Sequence, residues 1–280
     1  MLRPARPVDV LEPLDEERTE LLTLLRSLDE ADRAASTACP GWSVHDVALH
    51  VLGDDLGLLS RWRDRHEGGP EIGGKGWDDL VASLDEANEL WVDVARGISP
   101  RLLDELLELS GRLTAEHFSG LPPDGSGEVV AWAGPDPAPN WLCIAREFTE
   151  RWIHQQHIRD AVGRPGLHGP RFVAPVLATF MRSLPPAYGA LEAPAGTEVA
   201  VVVEGSAGAP WTVARTAGAW SLHEGRSSDA AAAIEIDQDT AWRHLSRNLT
   251  PRAARSRSKV SGTRKLAAPF FDAVAVIVPR

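Results

Sequence analysis

Cysteine is scarce in this chain, which has only Cys39 and Cys143 among its 280 residues. The two lie far apart in sequence and form no Cys-x-x-Cys pair, the spacing typical of cysteine-rich zinc sites. Small secreted domains, in contrast, are held together by many disulfides. The sequence therefore argues against a disulfide framework and against a zinc site built from cysteine pairs.

Long hydrophobic runs are also lacking. No stretch of about 18 uncharged apolar residues occurs, which is the length that a membrane-spanning helix needs. The opening residues MLRPARPVDVLEPLDEE contain no apolar segment of the kind found in secretory signals. We expect no membrane partner and a cytoplasmic location.

Positive charge is in short supply. The chain has 29 Lys and Arg residues against 40 Asp and Glu residues, and its formal net charge is −11. Proteins that bind nucleic acids generally neutralise phosphates with Lys and Arg. We therefore expect no nucleic-acid partner.

Several well-known motifs are missing from the sequence. It contains no HExxH, no GxSxG, no Walker A pattern and no GxGxxG. These motifs mark zinc proteases, acyl-transferring serines, phosphate-binding loops and dinucleotide-binding folds. None of these four functions has motif support here.

The first half of the chain reads as helices. Apolar residues recur at helical spacing in LDEERTELLTLLRSLDEADR. Ser43 and Asp46 form a predicted capping box that opens a second helix, which runs to about Arg65. Further helices are predicted for WDDLVASLDEANELWVDVAR, for a shorter segment PRLLDELLEL, and from about Trp141 to Val162. HEGGPEIGGKG reads as a glycine-rich loop. Four long helices joined by loops indicate an antiparallel bundle.

The pattern changes near residue 190, after the helical segment PVLATFMRSL. EVAVVVEG, PWTVART, AWSLHEG and AAAIEID are short runs separated by turn residues, as strands are. Helical segments DTAWRHLSR and KLAAPFFDAV follow, and a short apolar run, VIV, lies near the end. The prediction is an α+β protein of two domains, a helical bundle over residues 1–188 and a small α+β domain over 189–280.

One predicted helix carries an unusual polar strip. In REFTERWIHQQHIRD, Glu150, His154 and His157 are three or four residues apart and so lie on neighbouring positions of one helix face. An i, i+4 pair such as Glu150 and His154 can hold one metal ion. A third ligand must come from another helix, and His50, in the middle of the second predicted helix, is the best candidate.

The same residues also have a simpler interpretation. A Glu–His pair at this spacing is often only a surface ion pair. His50 can be a core histidine whose hydrogen bonds are satisfied. Spacing alone leaves both interpretations open.

Three stretches resemble a known family. CPGWSVHDVALHVLGDD, DEANELWVDVARGISPRLLDELL and EFTERWIHQQHIRDAVGRP together are similar to the mycothiol-dependent maleylpyruvate isomerase family. The chain from AAAIEIDQDTAWRHLSRNLTPRAARSRSKVSGTRKLA onward resembles the smaller domain of that family. The resemblance implies a DinB-like four-helix bundle followed by a C-terminal α+β domain related to sterol carrier proteins.

The resemblance also implies a ligand set. In the family, a histidine of the second helix and a Glu-x-x-x-His pair of the fourth hold zinc, and these match His50, Glu150 and His154. Family members often have Asp three residues after the last ligand, where this chain has His157. We assign His157 a catalytic or supporting role, as a general base, a fourth ligand or an orienting partner.

The implied function is that of a metal-dependent enzyme, an isomerase or a transferase. A divalent ion, zinc by preference, bound by three protein ligands keeps one position open. Such an ion stabilises a thiolate, and the thiol implied is mycothiol, acting on a small electrophilic substrate. The alternative is a metal-binding protein of the DinB-like kind without thiol chemistry, a binding or regulatory module.

Neither cysteine is predicted to bind the ion. Cys39 precedes Pro40 and Gly41 at the entrance to a helix, where we expect it to pack against apolar neighbours. Cys143 lies two helical turns before Glu150, roughly 10–11 Å along the axis. We expect Cys143 to line the approach to the site rather than to be a ligand.

Overall fold

The computed structural model describes residues 2–66, 68–69, 72–74 and 76–276. It combines helices with a six-stranded sheet and a two-stranded ribbon, so the predicted mixture of helix and sheet is confirmed. Contacts divide the described chain into two compact units. The first, which we call the helical unit, contains Val10–Pro122 and Glu150–Leu167. The second, the sheet unit, contains the segment before Val10, Pro123–Thr149 and the chain from His168 onward. The predicted domain division after residue 188 stays a prediction.

Five helices and the second half of a sixth form the helical unit. They are α1 (Leu11–Arg26), α2 (Glu30–Arg33), α3 (Val44–Leu58), α4 (Trp77–Ala95), α5 (Pro100–Ser119) and, from Glu150 onward, α6 (Asn140–Ala161). A π-helical turn, Leu59–Arg63, continues α3.

Two helix boundaries differ from the predictions. The first predicted helix is split, because the Asp29 side chain accepts a hydrogen bond from the backbone N–H of Asp32 and thereby starts the separate helix α2. The helix at Pro100 was predicted to be short, yet α5 has 20 residues. Its second half, SGRLTAEHFS, has a weak apolar pattern, and Gly111 within it lowers the intrinsic helix propensity.

The capping box at the start of α3 is confirmed. The Ser43 side chain accepts a hydrogen bond from the backbone N–H of Asp46, and the Asp46 carboxylate accepts one from the backbone N–H of Ser43. These bonds satisfy N–H groups that have no partner within the helix. The start of the helix that carries His50 is thus determined locally.

Apolar side chains of α1, α3 and α5 form the core of the helical unit, with Ile158 of α6. Helix α3 also packs closely against α4. A Cβ atom at Gly53 would lie 2.5 Å from Nε1 of Trp91, while that same Nε1 donates a hydrogen bond to the carbonyl of Leu49 at 2.8 Å. Glycine at this position therefore lets the indole lie directly on α3.

The sheet unit contains the remaining elements. Its strands are β1 (Arg3–Pro4), β2 (Ser126–Val129), β3 (Pro137–Pro139), β4 (Glu198–Glu204), β5 (Pro210–Arg215), β6 (Trp220–Glu224), β7 (Ala232–Asp237) and β8 (Lys259–Gly262). Its helices, besides the first half of α6, are α7 (Pro170–Phe180), α8 (Leu184–Tyr188), α9 (Gln238–Leu245), α10 (Pro251–Ser256) and α11 (Arg264–Asp272).

The six-stranded sheet has the order β1-β6-β5-β4-β7-β8. All neighbours are antiparallel except β4 and β7, which are parallel, with Val201 opposite Ile234. The four strands predicted between residues 198 and 237 are confirmed, and β8 was not predicted.

Parts of two predicted segments lie outside the described residues. They are residues 277 and 278 of the VIV run and residues 67, 70, 71 and 75 of the glycine-rich loop. In the part of the chain that the structure describes, no helix is long and apolar enough to cross a membrane.

A buried ion-pair network joins four helices of the helical unit. The Asp55 carboxylate on α3 is fully buried and lies 2.8 Å from Nη2 of Arg18 on α1 and 2.6 Å from Nη2 of Arg151 on α6. Ser110 on α5 donates a further hydrogen bond to it at 2.6 Å. Such a network stabilises only when every member has its partners, since an isolated buried charge is very costly.

We predict that Asp55→Asn destabilises the protein by about 3–5 kcal/mol, because it leaves two buried guanidinium groups without their carboxylate. Urea unfolding measures the effect. The matched control is Glu108→Gln, which breaks an ion pair with Arg26 whose side chains are 62% and 50% exposed. Exposed pairs contribute only about 0.2–1 kcal/mol. Equal stability losses in the two variants would contradict the prediction.

The same network predicts an acid dependence. Burial raises the pKa of Asp55, but the charges of Arg18 and Arg151 and the hydrogen bonds to the carboxylate outweigh it, so the pKa lies below its usual value. The stabilisation by Asp55 is therefore present above the unfolded-state pKa of about 3.9 and is lost as the pH falls towards the folded-state pKa. The stability difference between wild type and Asp55→Asn should shrink below that pH.

Candidate metal centre

Helix α3 places His50 inside the helical unit. The imidazole is buried, with 7% of the residue exposed, and its ring lies 5.1 Å from the indole ring of Trp42. Trp42 is itself held by a hydrogen bond from its Nε1 to Glu89 at 2.8 Å. The indole that packs against His50 is therefore held in place by α4.

Helix α6 presents the second group of predicted residues. Glu150, His154 and His157 follow one another at intervals of four and three residues, so they occupy one strip of the helix surface. The rings of His154 and His157 have centroids 5.5 Å apart. The carboxylate of Glu150 lies 3.9 Å from Nε2 of His154.

The structure brings the two helices together at their histidines. Nε2 of His50 lies 3.1 Å from Nε2 of His154, although the residues are 104 positions apart in sequence. His50, His154 and Glu150, which were predicted as ligands, thus form a continuous chain of contacts. His157 adjoins this group because its ring lies beside the ring of His154.

Burial keeps both imidazoles neutral. It lowers the pKa of His50 to about 4, and it lowers the pKa of His154 well below its ordinary value, with smaller contributions from His50 and His157. Neutral imidazole is the form that binds metals. At neutral pH the facing Nε2 atoms can therefore either share one proton or direct two lone pairs at an ion.

Cys39 is a site residue that the sequence analysis missed. Its Sγ lies 3.2 Å from Nδ1 of His157, and ligand atoms of Cys39, His154 and His157 all lie within 4.8 Å of one another. These three residues could hold a metal ion. The cluster shares only His154 with the ligand set expected from the resemblance. A separation of 118 residues leaves no spacing signal from which the pair of Cys39 and His157 could be found.

Asp54 is the second missed residue. Its Oδ2 lies 3.3 Å from Nε2 of His50, and its side chain is 37% exposed. The two residues are an i, i+4 pair on α3, as Glu150 and His154 are on α6. The i, i+4 spacing of this pair is visible in the sequence as HVLGD.

Cys143 lies in the sheet unit. It is buried, and its Sγ donates a hydrogen bond to the carbonyl of Glu128 at 3.4 Å. Its predicted place along the approach to the metal ion stays a prediction.

The facing nitrogens of His50 and His154 fit a zinc ion. Zinc binds imidazole nitrogen, carboxylate oxygen and thiolate sulfur, and two nitrogens on one tetrahedral zinc are about 3.3 Å apart. The observed separation between His50 and His154 is 3.1 Å. Histidines that bind a metal usually donate a hydrogen bond from their other ring nitrogen to a nearby acceptor, and this second bond is missing in the part of the chain that the structure describes. Nδ1 of His50 and Nδ1 of His154 are buried without a hydrogen-bond partner among the described residues.

Two solved structures of similar fold share one description. The chain is similar to the crystal structures of a mycothiol-dependent maleylpyruvate isomerase and of a histidine-to-alanine variant of that protein. Each match has a TM-score of 0.52 and 14% sequence identity, and covers 90% of this chain and 91% of the other. At this identity the likeness shows the fold alone. No curated protein matches the chain.

A sequence family matches more than half of the chain. The family described as mycothiol maleylpyruvate isomerase N-terminal domain matches residues 14–159. The match includes His50, Glu150 and His154, and two solved structures of similar fold have the corresponding description. The chain belongs to the mycothiol-dependent maleylpyruvate isomerase family.

Proposed function

We propose that this protein is a metal-dependent isomerase that uses a low-molecular-weight thiol, mycothiol, to act on a small electrophilic substrate. The observation that carries the proposal is the 3.1 Å approach of Nε2 of His50 to Nε2 of His154, with the Glu150 carboxylate beside His154. The family to which the chain belongs is named for mycothiol and for this reaction. Transfer of the thiol to an electrophile is a related reaction that the same site can serve.

His50, Glu150 and His154 are the proposed ligands of a divalent ion, with zinc preferred. Two neutral imidazoles and one carboxylate are a ligand set typical of catalytic zinc. When bound, the ion would lower the pKa of an added thiol and so favour the nucleophilic thiolate. The added thiolate would form a bond to one carbon of a cis double bond conjugated to a carbonyl group, and the electron pair of the broken π bond would move to the carbonyl oxygen as an enolate. Rotation about the remaining single bond would follow, and return of the electron pair would re-form the double bond in the trans configuration and release the thiolate.

His157 is proposed to move or hold a proton beside the ligands. Its ring lies next to that of His154, and its Nδ1 is within hydrogen-bond reach of a thiol sulfur at Cys39. An imidazole in contact with sulfur can accept the proton that a thiol loses.

The fold and the location belong to the same proposal. The helical unit would represent a DinB-like antiparallel four-helix bundle. The six-stranded sheet and its helices would correspond to a domain related to sterol carrier proteins. A cytoplasmic location is supported by the two cysteines, which are both free, as is usual in a reducing compartment.

We predict that the purified protein contains one divalent ion per chain and that His154→Ala loses it. His154 belongs both to the expected ligand set and to the cluster with Cys39. Loss of a residue that only hydrogen-bonds a metal ligand typically weakens metal binding by about 10–100-fold. Loss of the ligand His154 should weaken metal binding by more than that. Elemental analysis after dialysis measures the ion, and His66→Ala, which changes an exposed histidine, is the control. Undiminished metal in His154→Ala would refute the assignment.

We predict that turnover requires an added thiol. With a cis-configured 2-oxo dicarboxylic substrate such as maleylpyruvate, isomerisation should be seen only when mycothiol is supplied, and Cys143→Ala should retain most of it. Product formation is followed by absorbance. Metal-bound protein that neither binds mycothiol nor turns over would favour the alternative, a binding or regulatory module. Turnover without any thiol that is abolished in Cys143→Ala would favour an internal nucleophile.

We predict that His157→Ala lowers metal affinity or turnover by about 10–100-fold, as expected for a residue that supports ligands or carries a proton. Its pH–rate profile should lose the limb that reports a general base, while His157→Gln, which keeps hydrogen bonding, should retain metal binding. A His157→Ala protein with wild-type metal affinity, turnover and pH profile would make His157 a packing residue only.

A further inference from the structure

Cys39 is held in a turn whose backbone is well anchored. Its backbone N–H donates a hydrogen bond to Oγ1 of Thr37 at 3.1 Å, and its carbonyl accepts one from the N–H of Trp42 at 3.1 Å. The N–H of Thr37 in turn donates to the carbonyl of Trp42. The turn leads directly into the capping box of α3, so the helix that carries His50 also positions Cys39.

The sulfur of Cys39 faces the histidines of α6. It lies 3.2 Å from Nδ1 of His157, and a nitrogen of His154 is within 4.8 Å of both. In a tetrahedral zinc site, sulfur and nitrogen ligands of the same ion lie about 3.5 Å apart. The three side chains are therefore close enough together to hold one ion.

Simple packing does not account for all of these contacts. A buried neutral thiol is a small apolar side chain, and Cys39 does touch the apolar core of the helical unit. Core packing, however, does not require two imidazoles beside the sulfur.

Burial raises the pKa of the Cys39 thiol to about 11, so a thiolate here depends on the charge of a bound ion. A divalent ion bound by His50, His154 and the Glu150 carboxylate would retain one net positive charge. In a buried site an uncompensated charge is costly, and one thiolate would neutralise it. Sulfur and imidazole nitrogen together are also a donor combination that suits zinc.

We propose that Cys39 supplies a thiolate ligand to the metal ion that His154 holds. This inference rests on the proposed function, which supplies the metal ion, and adds Cys39 as a further ligand of that ion. A ligand from Cys39 occupies the position that three protein ligands would leave open. An added thiol then competes with Cys39 for the ion, and removal of the Cys39 sulfur should tighten the binding of added thiol.

Cobalt substitution tests this proposal without relying on activity. Co²⁺ bound to a thiolate gives an intense near-ultraviolet charge-transfer band, which nitrogen and oxygen ligands do not give. Wild-type protein loaded with Co²⁺ in the absence of added thiol should show the band. Cys39→Ser should bind Co²⁺ and lose the band, and the matched control Cys143→Ser should keep it. Added mycothiol should restore the band in Cys39→Ser at a lower concentration than it needs to displace Cys39 in wild type.

The outcomes separate this inference from the proposed function. If Co²⁺ binds to wild type without the band, or if Cys39→Ser keeps the band, Cys39 is not a ligand, while the metal site stands. If wild type binds neither Co²⁺ nor Zn²⁺, the metal site itself is wrong.

Alkylation of the wild-type protein gives a second measurement that needs no variant. The ion should protect Cys39 from iodoacetamide, mapped by mass spectrometry, and removal of the ion by a chelator should expose it. Equal alkylation with and without the ion would overturn the inference.

Discussion

The helical unit depends on a single buried carboxylate. Asp55 binds guanidinium groups from α1 and α6 and a hydroxyl from α5, so four helices meet at one point inside an apolar core. The Arg18 side chain packs directly against Gly111, where a Cβ atom would lie 2.9 Å from the Arg18 side chain. An ion pair of this kind permits few arrangements of the helices, since any rotation that separates the charges leaves them unsolvated.

This constraint also orients the candidate metal centre. Asp55 lies five residues after His50 on α3, and Arg151 lies three residues before His154 on α6. The ion pair between Asp55 and Arg151 therefore fixes the relative position of the two helix segments that carry the histidines. Apolar packing alone tolerates small shifts and rotations of helices, whereas bonds of 2.6–3.1 Å do not.

Burial gives the candidate site its chemical character. The same desolvation that makes the ion pair of Asp55 necessary lowers the pKa of His50 and of His154, which remain neutral. Neutral imidazoles close to a carboxylate and a thiol are a set of donors rather than a set of charges. A divalent ion would gain ligands here without having to displace protons from the two histidines.

Local sequence determined a large part of this protein. The capping box of Ser43 and Asp46, the apolar stripe of α1 and the strands between residues 198 and 237 follow from interactions between residues that are near in sequence. The shared strip of Glu150, His154 and His157 follows from helical spacing in the same way. His50 was a candidate ligand because of its place in the middle of the second predicted helix, and the resemblance to the family matched it, although no spacing rule connects it to α6.

Tertiary structure decided the rest. The approach of Cys39 to His157, the contact between His50 and His154, and the parallel pairing of β4 with β7 all join residues that are distant in the chain. The length of α5 was equally hidden, because its second half is stabilised by the burial of Ser110, Thr114 and Phe118 rather than by its own propensity. Periodicity reports which face of an element is apolar, but not which element will cover it. Which element covers it depends on whether the buried charges can be paired and the side chains packed without voids in the same arrangement. Both conditions are met only in the folded chain.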